Sequence, residues 1–401
     1  MTKQTDLPLK FKKAEEAQAF STDLALLGEF CIGLGVLDWV DAYMPKSGKG
    51  VRFKTSEYLF PLVLMLNSGG RSLEDIRIIR HDFMLRNILP LKRVPSPDAI
   101  GDWLRRAADS GSLSGLEKTN RKLLKRALEY DNIKNYTLNI DATVIESEKE
   151  SAKPTYKGFK GYTPIIGHLA ENGLIVGEEF REGNVDPALK NLEFCRHCID
   201  RMPPGKSIRR LRTCTPSCQV DIIDFCDKKG VEFAIGGNLD ENMLRAIGSI
   251  PESDWRPYKE GYIAETSSSF IGTKKTFRII ALQRRYQKKL FNKEDVKSKY
   301  SVIATNIKGS ARDVFKWYNQ GCASGRDRIN DLKVCFGMER MPCGQAGANA
   351  VFFRIGAISY NINRLFLLKT LNKSSHKRRI HFPLSPAFPS LLWPYWLYIV
   401  L

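Results

Sequence analysis

Apolar residues between positions 14 and about 130 recur at helical spacing. Leu24 to Leu37 and Glu57 to Leu66 each predict an apolar-faced helix. Ser72-Leu-Glu-Asp-Ile-Arg-Ile-Ile-Arg80 opens on a serine placed to cap a helix. Ser96-Pro-Asp-Ala-Ile-Gly-Asp-Trp-Leu-Arg-Arg106 adds proline at the first helical position and Asp98 near the positive helix end. From Asn135 the texture changes. Tyr136 to Val144 is β-branched and apolar, with one carboxylate, Asp141, at its exit. Ile165 to Leu169 and Leu174 to Val176 flank Glu171-Asn-Gly173, a hairpin signal. Helix returns over Pro187–Ile199 and strand over Ser207–Leu211; a helix over Asp221–Lys229 ends at Gly230 before the strand Val231–Ile235. More strand signals fill residues 240–310, such as Thr276–Ala281 and Tyr300–Ala304.

Charge changes this picture most. In 401 residues, 63 Lys plus Arg stand against 44 Asp plus Glu, a net charge of +19, which favours a polyanionic partner such as nucleic acid. Arg105 and Arg106 close one predicted helix, and Arg121, Lys122, Lys125 and Arg126 stud the next; a solvated face is the commoner fate of such a run, and DNA contact is the reading a basic chain favours. The polar start predicts no secretory signal, and no apolar stretch reaches the roughly 18 residues needed to span a membrane. The apolar end, Leu391–Leu401, is too short and is interrupted by Pro394. Nine cysteines at irregular spacing then read as reduced thiols in a cytoplasm.

A strand that presents a carboxylate at its exit suits a metal site. Ser72-Leu-Glu-Asp75, Ser96-Pro-Asp-Ala99, Ile140-Asp-Ala-Thr-Val-Ile145, Tyr156-Lys-Gly158, Phe180-Arg-Glu-Gly-Asn184 and Gly337-Met-Glu-Arg-Met-Pro-Cys-Gly344 together resemble the DDE-type insertion-sequence transposases, most closely the IS-thirteen-eighty group. The resemblance runs from about residue 20 to 370. It implies a bacterial enzyme that binds the ends of its element as a homodimer on double-stranded DNA and cuts and joins strands. Three carboxylates would hold two Mg²⁺ or Mn²⁺ ions, which activate the attacking oxygen and stabilise the leaving one. The fold expected is α/β: a helical, DNA-end-binding domain over residues 1–130, a ribonuclease-H-like core over 131–370 with a β-rich insertion at about 240–310, and an atypical tail over 371–401. A hairpin meander followed by alternating helix and strand is the order such a core requires. The implied location is the bacterial cytoplasm, at the nucleoid.

Residue by residue, the resemblance makes Asp141 the first catalytic acid and a metal ligand; without it, a strand-end carboxylate in an ion pair would be the default. The second acid belongs in a run like Leu-Arg-Ala-Asp-Ser, and here Leu211-Arg-Thr-Cys-Thr215 puts Cys214 in its place. The third belongs in a run like Glu-Asn-Arg-Ile-Lys-Glu-Leu-Lys, and Arg326-Asp-Arg-Ile-Asn-Asp-Leu-Lys333 substitutes Arg326. Asp327, Asp331 and Glu339 are the acids at hand as replacements. Cysteine is a soft ligand and arginine repels a cation, so metal binding and cleavage are expected to be impaired. The flanking blocks, Thr213 to Cys218 and Gly321 to Asp327, depart with them, as in a decayed or locally frame-shifted copy. A non-catalytic DNA-binding remnant that competes with active copies is the alternative. Cys195-Arg-His-Cys198 with Cys214-Thr-Pro-Ser-Cys218 comes close to structural zinc spacing, but the first pair falls within a predicted helix.

Overall fold

The computed structural model describes residues 22–46, 53–129, 131–259, 261–269, 276–284 and 300–370. The tail at 371–401, with its apolar end Leu391–Leu401, lies outside the described residues. No described helix is long and apolar enough to cross a membrane.

Among the described residues seven α-helices come first: α1 (Thr22–Leu34), α2 (Val36–Tyr43), α3 (Thr55–Asn67), α4 (Ile76–His81), α5 (Phe83–Ile88), α6 (Pro97–Asp109) and α7 (Ser112–Glu129). The stretch expected as one helix from Leu24 to Leu37 is two, because Gly35 adopts φ 81° and breaks the run. Ser96 caps α6 as its sequence predicts, its Oγ accepting from the Ala99 N–H at 3.2 Å. Ser72 instead opens a 3₁₀ turn, where Asp75 accepts from the backbone of Arg71 and Ser72. The α3 helix was expected to show one apolar face, but is buried on nearly every side. The reason is α12 (Ala346–Thr370), the last described helix, which packs on α3, α6 and α7 and is itself enclosed over most of its length.

The remaining elements are β1 (Asn135–Ala142), β2 (Ile145–Glu146), β3 (Lys153–Pro154), β4 (Lys160–Tyr162), β5 (Ile165–Leu169), β6 (Ile175–Glu179), α8 (Asn191–Asp200), β7 (Ser207–Thr213), α9 (Val220–Lys229), β8 (Glu232–Gly236), α10 (Glu241–Gly248), β9 (Arg256–Tyr258), β10 (Gly261–Ser269), β11 (Thr276–Arg284), β12 (Tyr300–Thr305) and α11 (Ala311–Asn330). Among the described residues nine strands form one mixed sheet in the order β6-β5-β1-β7-β8-β12-β11-β10-β9. The hairpin read at Glu171-Asn-Gly173 joins β5 to β6, antiparallel, with Gly173 at φ 78°. Strand β1 pairs antiparallel with β5 and parallel with β7, which is parallel to β8. The strands of the 240–310 region extend this sheet, because β12 pairs antiparallel with β8. Predicted boundaries shift slightly: α8 begins at Asn191, after Lys190 at positive φ, and not at Pro187.

Alternation along β1 sorts the layers. A Cβ at Gly167 of β5 would meet Cys198 and Phe194 of α8 and Leu138 of β1, so α8 covers the face carrying Leu138. A Cβ at Gly325 of α11 would meet Asp141 and His168, so α11 lies on the other face. The segment Gly337–Gly344 buttresses α12. A Cβ at Gly337, which adopts φ 66°, would meet the Gly70 carbonyl, Met338 is buried under Gly356, and Asn349 bonds both the N–H and the C=O of Cys343.

Candidate active site

Strand β1 is half polar. Tyr136, Leu138 and Ile140 face one side while Thr137, Asn139 and Asp141 face the other, beneath α11. The strand is thus not apolar throughout, as its composition predicts, and its period-2 alternation is the signal of a polar layer. Across the layer, Arg212 of β7 lies opposite Asn139. Its Nε donates to Asn139 Oδ1 and its Nη1 to the Trp317 carbonyl, both at 2.8 Å, with the guanidinium 4.4 Å from the Trp317 ring centroid. With its oxygen thus occupied, the Asn139 amide donates to His168 Nε2 at 3.1 Å, which leaves the proton on Nδ1. Nδ1 is buried without a partner, and burial, with Arg328 and Arg212 nearby, lowers the His168 pKa to about 3. The imidazole is neutral.

Asp141 ends the polar row. Burial pushes its carboxyl up to about 6, against the opposing pull of Arg212 and Arg326. Two α11 glycines one turn apart make room for this layer: a side chain at Gly321 would collide with the Arg212 guanidinium, and one at Gly325 with the Asp141 carboxylate. The structure thus brings together the three positions singled out in the sequence. Cys214 follows β7 with its thiol at the Ala142 N–H, and burial, with the Asp141 charge, pushes it up to about 11. Arg326 is exposed on α11, its Nε donating to the Cys322 carbonyl at 3.3 Å, and its charge acts on Asp141. Tyr318 and Cys322, joined by a hydrogen bond, complete the surroundings; Tyr318, Cys322, Arg212, Asn139 and His168 were not singled out from the sequence.

The replacement acids lie elsewhere. Asp331 is buried at an ion pair with Arg328, 3.6 Å away, in the π-helical turn that ends α11. Glu339 pairs with Arg71 of the helical layer at 3.5 Å. Asp327 is one step past Arg326, rotated by about 100° from it. Among the described residues no group of three or more His, Cys, Asp or Glu side chains could hold a metal ion. The donors at Asp141 do not fit a pair of hard cations: one carboxylate, a thiol that stays protonated at neutral pH, and a guanidinium. The cysteine pairs considered for zinc also have other settings. Cys195 and Cys198 are buried in α8 against the sheet, while Cys214 sits by Asp141 and Cys218 by Asn238 and Asp240.

Of the basic residues read as DNA contacts, Arg105 is ion-paired with Asp102 and Arg126 with Glu129, at 3.6 Å for the latter. Arg121, Lys122 and Lys125 have no ion-pair partner among the described residues and line a groove beside α7.

The raised Asp141 pKa has a testable sign. Since the folded state holds this proton more tightly than the unfolded chain, stability falls as pH rises from about 4 to about 6 and stays reduced above that. Asp141→Asn removes the ionisation and is expected to stabilise the protein at pH 8 by at most about 3 kcal/mol, with no gain at pH 4. Thermal melts at both pH values check this; equal melting shifts at both would refute it.

The fold is similar to that of a piggyBac transposase solved by cryo-EM as a synaptic complex with hairpin DNA, with a TM-score of 0.50 and 9% identity over 94% of this chain and 84% of that one. At that identity the likeness is one of fold alone. No curated protein matches. A family model described as "Transposase DDE domain group 1" matches residues 25–381, from within α1 to beyond α12. With that span running through the β1 carboxylate, the β7 exit and α11, the chain belongs to this family of DDE transposases.

Proposed function

We propose that this chain descends from the transposase of a bacterial insertion sequence of the IS-thirteen-eighty group and acts on double-stranded DNA, with a strand-transfer centre impaired at two of its three acids. The observation that carries this reading is the convergence of the β1 exit, the β7 exit and α11 on Asp141, with Cys214 and Arg326 at the other two positions. The order β6-β5-β1-β7-β8, with only the first pairings antiparallel, supports a ribonuclease-H-like core over residues 131–370. Residues 1–130 would then form the end-binding domain, with Arg105, Arg106, Arg121, Lys122, Lys125 and Arg126 as its DNA contacts. Joining two ends requires two sets of machinery, so a homodimer on DNA at the nucleoid is the assembly proposed. Asp141 is the surviving ligand for Mg²⁺ or Mn²⁺, held weakly. The alternative, a remnant that only binds DNA and competes with active copies, is favoured by the positive charge of Arg326 where an acid is required.

DNA affinity is expected to fall steeply with salt, because a chain at +19 displaces many counterions when it binds. Mobility-shift titrations should lose about a hundredfold or more between low and moderate salt. Binding that hardly responds to salt would argue against the DNA reading. Titration with Mn²⁺ separates the two readings: weak binding abolished in Asp141→Asn supports an impaired centre, and none in either protein supports the remnant.

A further inference from the structure

Four cations on α7 follow one another along a single face: Lys118, Arg121, Lys122 and Lys125. Their spacing of three and four residues stacks them in a stripe, and seven residues at about 1.5 Å each make it about 10 Å long. None of the four has an ion-pair or hydrogen-bond partner among the described residues. The acids beside them are already engaged, Glu117 by Arg201 at 2.9 Å and Glu129 by Arg126. The stripe is therefore a free positive field. It forms one wall of an open groove; Arg201, Pro203 and Pro204, at the end of α8, and Tyr43, at the end of α2, form the rest.

The location of the groove separates it from Asp141. A Cβ at Gly177 of β6 would meet Arg201 and Cys198, and Gly177 pairs with Gly167, which faces α8. The α8 wall of the groove thus belongs to the face of the sheet opposite the one where α11 covers Asp141. One phosphodiester cannot touch both.

We propose that the groove between α7 and the α8 end is a second DNA site, which grips the backbone of a duplex segment distinct from the one at Asp141. This rests on the DNA-binding reading above and adds where a remote segment is held. Measured along the duplex axis the stripe spans about three steps of roughly 3.4 Å, and its four long side chains can neutralise three to four phosphates. Contacts of this kind carry no base readout and position the duplex. The rigid prolines and the Tyr43 ring on the facing walls limit how closely a backbone approaches.

The test uses the full-length chain and a random-sequence DNA duplex. In the fourfold variant K118Q/R121Q/K122Q/K125Q, the slope of log affinity against log salt is expected to be shallower by about 3 to 4, near 0.9 for each lost contact. DNA should also protect Lys118, Lys122 and Lys125 of the unmodified chain from acetylation while leaving Lys228 and Lys229 of α9 reactive. If the fourfold variant does not fold, K118Q/K125Q and R121Q/K122Q are each expected to lower the slope by about 2. An unchanged slope with unprotected lysines, in a chain that still binds DNA, would overturn the groove and leave the DNA reading standing. A chain that binds no DNA at any salt would remove both. Protection by polyglutamate and not by DNA would assign the groove to an acidic protein segment and overturn the proposal.

Discussion

Incubated with duplex DNA and Mg²⁺ or Mn²⁺, the unmodified chain is expected to leave the strands uncut, at a rate roughly four orders of magnitude or more below that of an intact site. One carboxylate cannot hold two hard cations against water. The Cys214 thiol, pushed up to about 11, does not ionise to help, and Arg326 brings a positive charge toward Asp141. Neither Cys214→Asp nor Arg326→Glu alone should restore cutting, since the acids act as a unit. The pair together is expected to regain Mn²⁺ binding, read by the loss of the free-ion signal in electron paramagnetic resonance. Position 325 offers no route to repair, because any side chain there lands on the Asp141 carboxylate. Robust cutting by the unmodified chain, lost in Asp141→Asn, would mean that Asp327, Asp331 or Glu339 completes the site and that the impairment is wrongly assigned.

The largest effect on stability is expected at Asn361, fully buried in α12. Strand β6 is an edge of the sheet, and an edge carries unpaired backbone groups that must be satisfied or covered. Asn361 closes it. Its Oδ1 accepts from the Ile175 N–H at 2.8 Å, and its Nδ2 donates to the Ile175 carbonyl at 2.8 Å and to Asn120 Oδ1 at 2.7 Å. Asn361→Leu keeps the branching at Cγ with a somewhat larger side chain, and orphans the buried Ile175 N–H and the Asn120 oxygen. The expected cost is about 3 kcal/mol, the sum of lost bonds and uncompensated desolvation. Chemical denaturation should show an earlier midpoint, with Asn361→Leu clearly worse than Asn363→Leu, whose Nδ2 donates to Asn67 Oδ1 at 2.8 Å. Equal midpoints would show that the β6 edge does not depend on this amide.

Local rules that act over a few residues were legible without the fold. Ser96-Pro97 starts α6, Asn-Gly at 172–173 turns the β5–β6 hairpin, and Gly230, at φ 64°, ends α9, because capping and turn chemistry are set by the neighbouring backbone. The polar alternation of Thr137, Asn139 and Asp141 was also present in the sequence, and it marks the face on which the site lies. The resemblance to the transposase motifs brought out Asp141, Cys214 and Arg326, and tertiary structure alone set them beside one another, by carrying β7 parallel to β1 and laying α11 across both. Which side chains surround them depends on packing between segments more than 100 residues apart, such as Arg212 on Trp317 and Gly325 on Asp141. No local pattern encodes those meetings. Charge divides between the two levels: the pairs Arg105–Asp102 and Arg126–Glu129 lie three residues apart within α6 and α7, a spacing legible in the sequence, whereas only the fold turns the α7 stripe toward a groove on the far side of the sheet. Glu117, the acid next to the stripe, is engaged by Arg201 of α8, and that pairing across 84 residues is decided by tertiary structure.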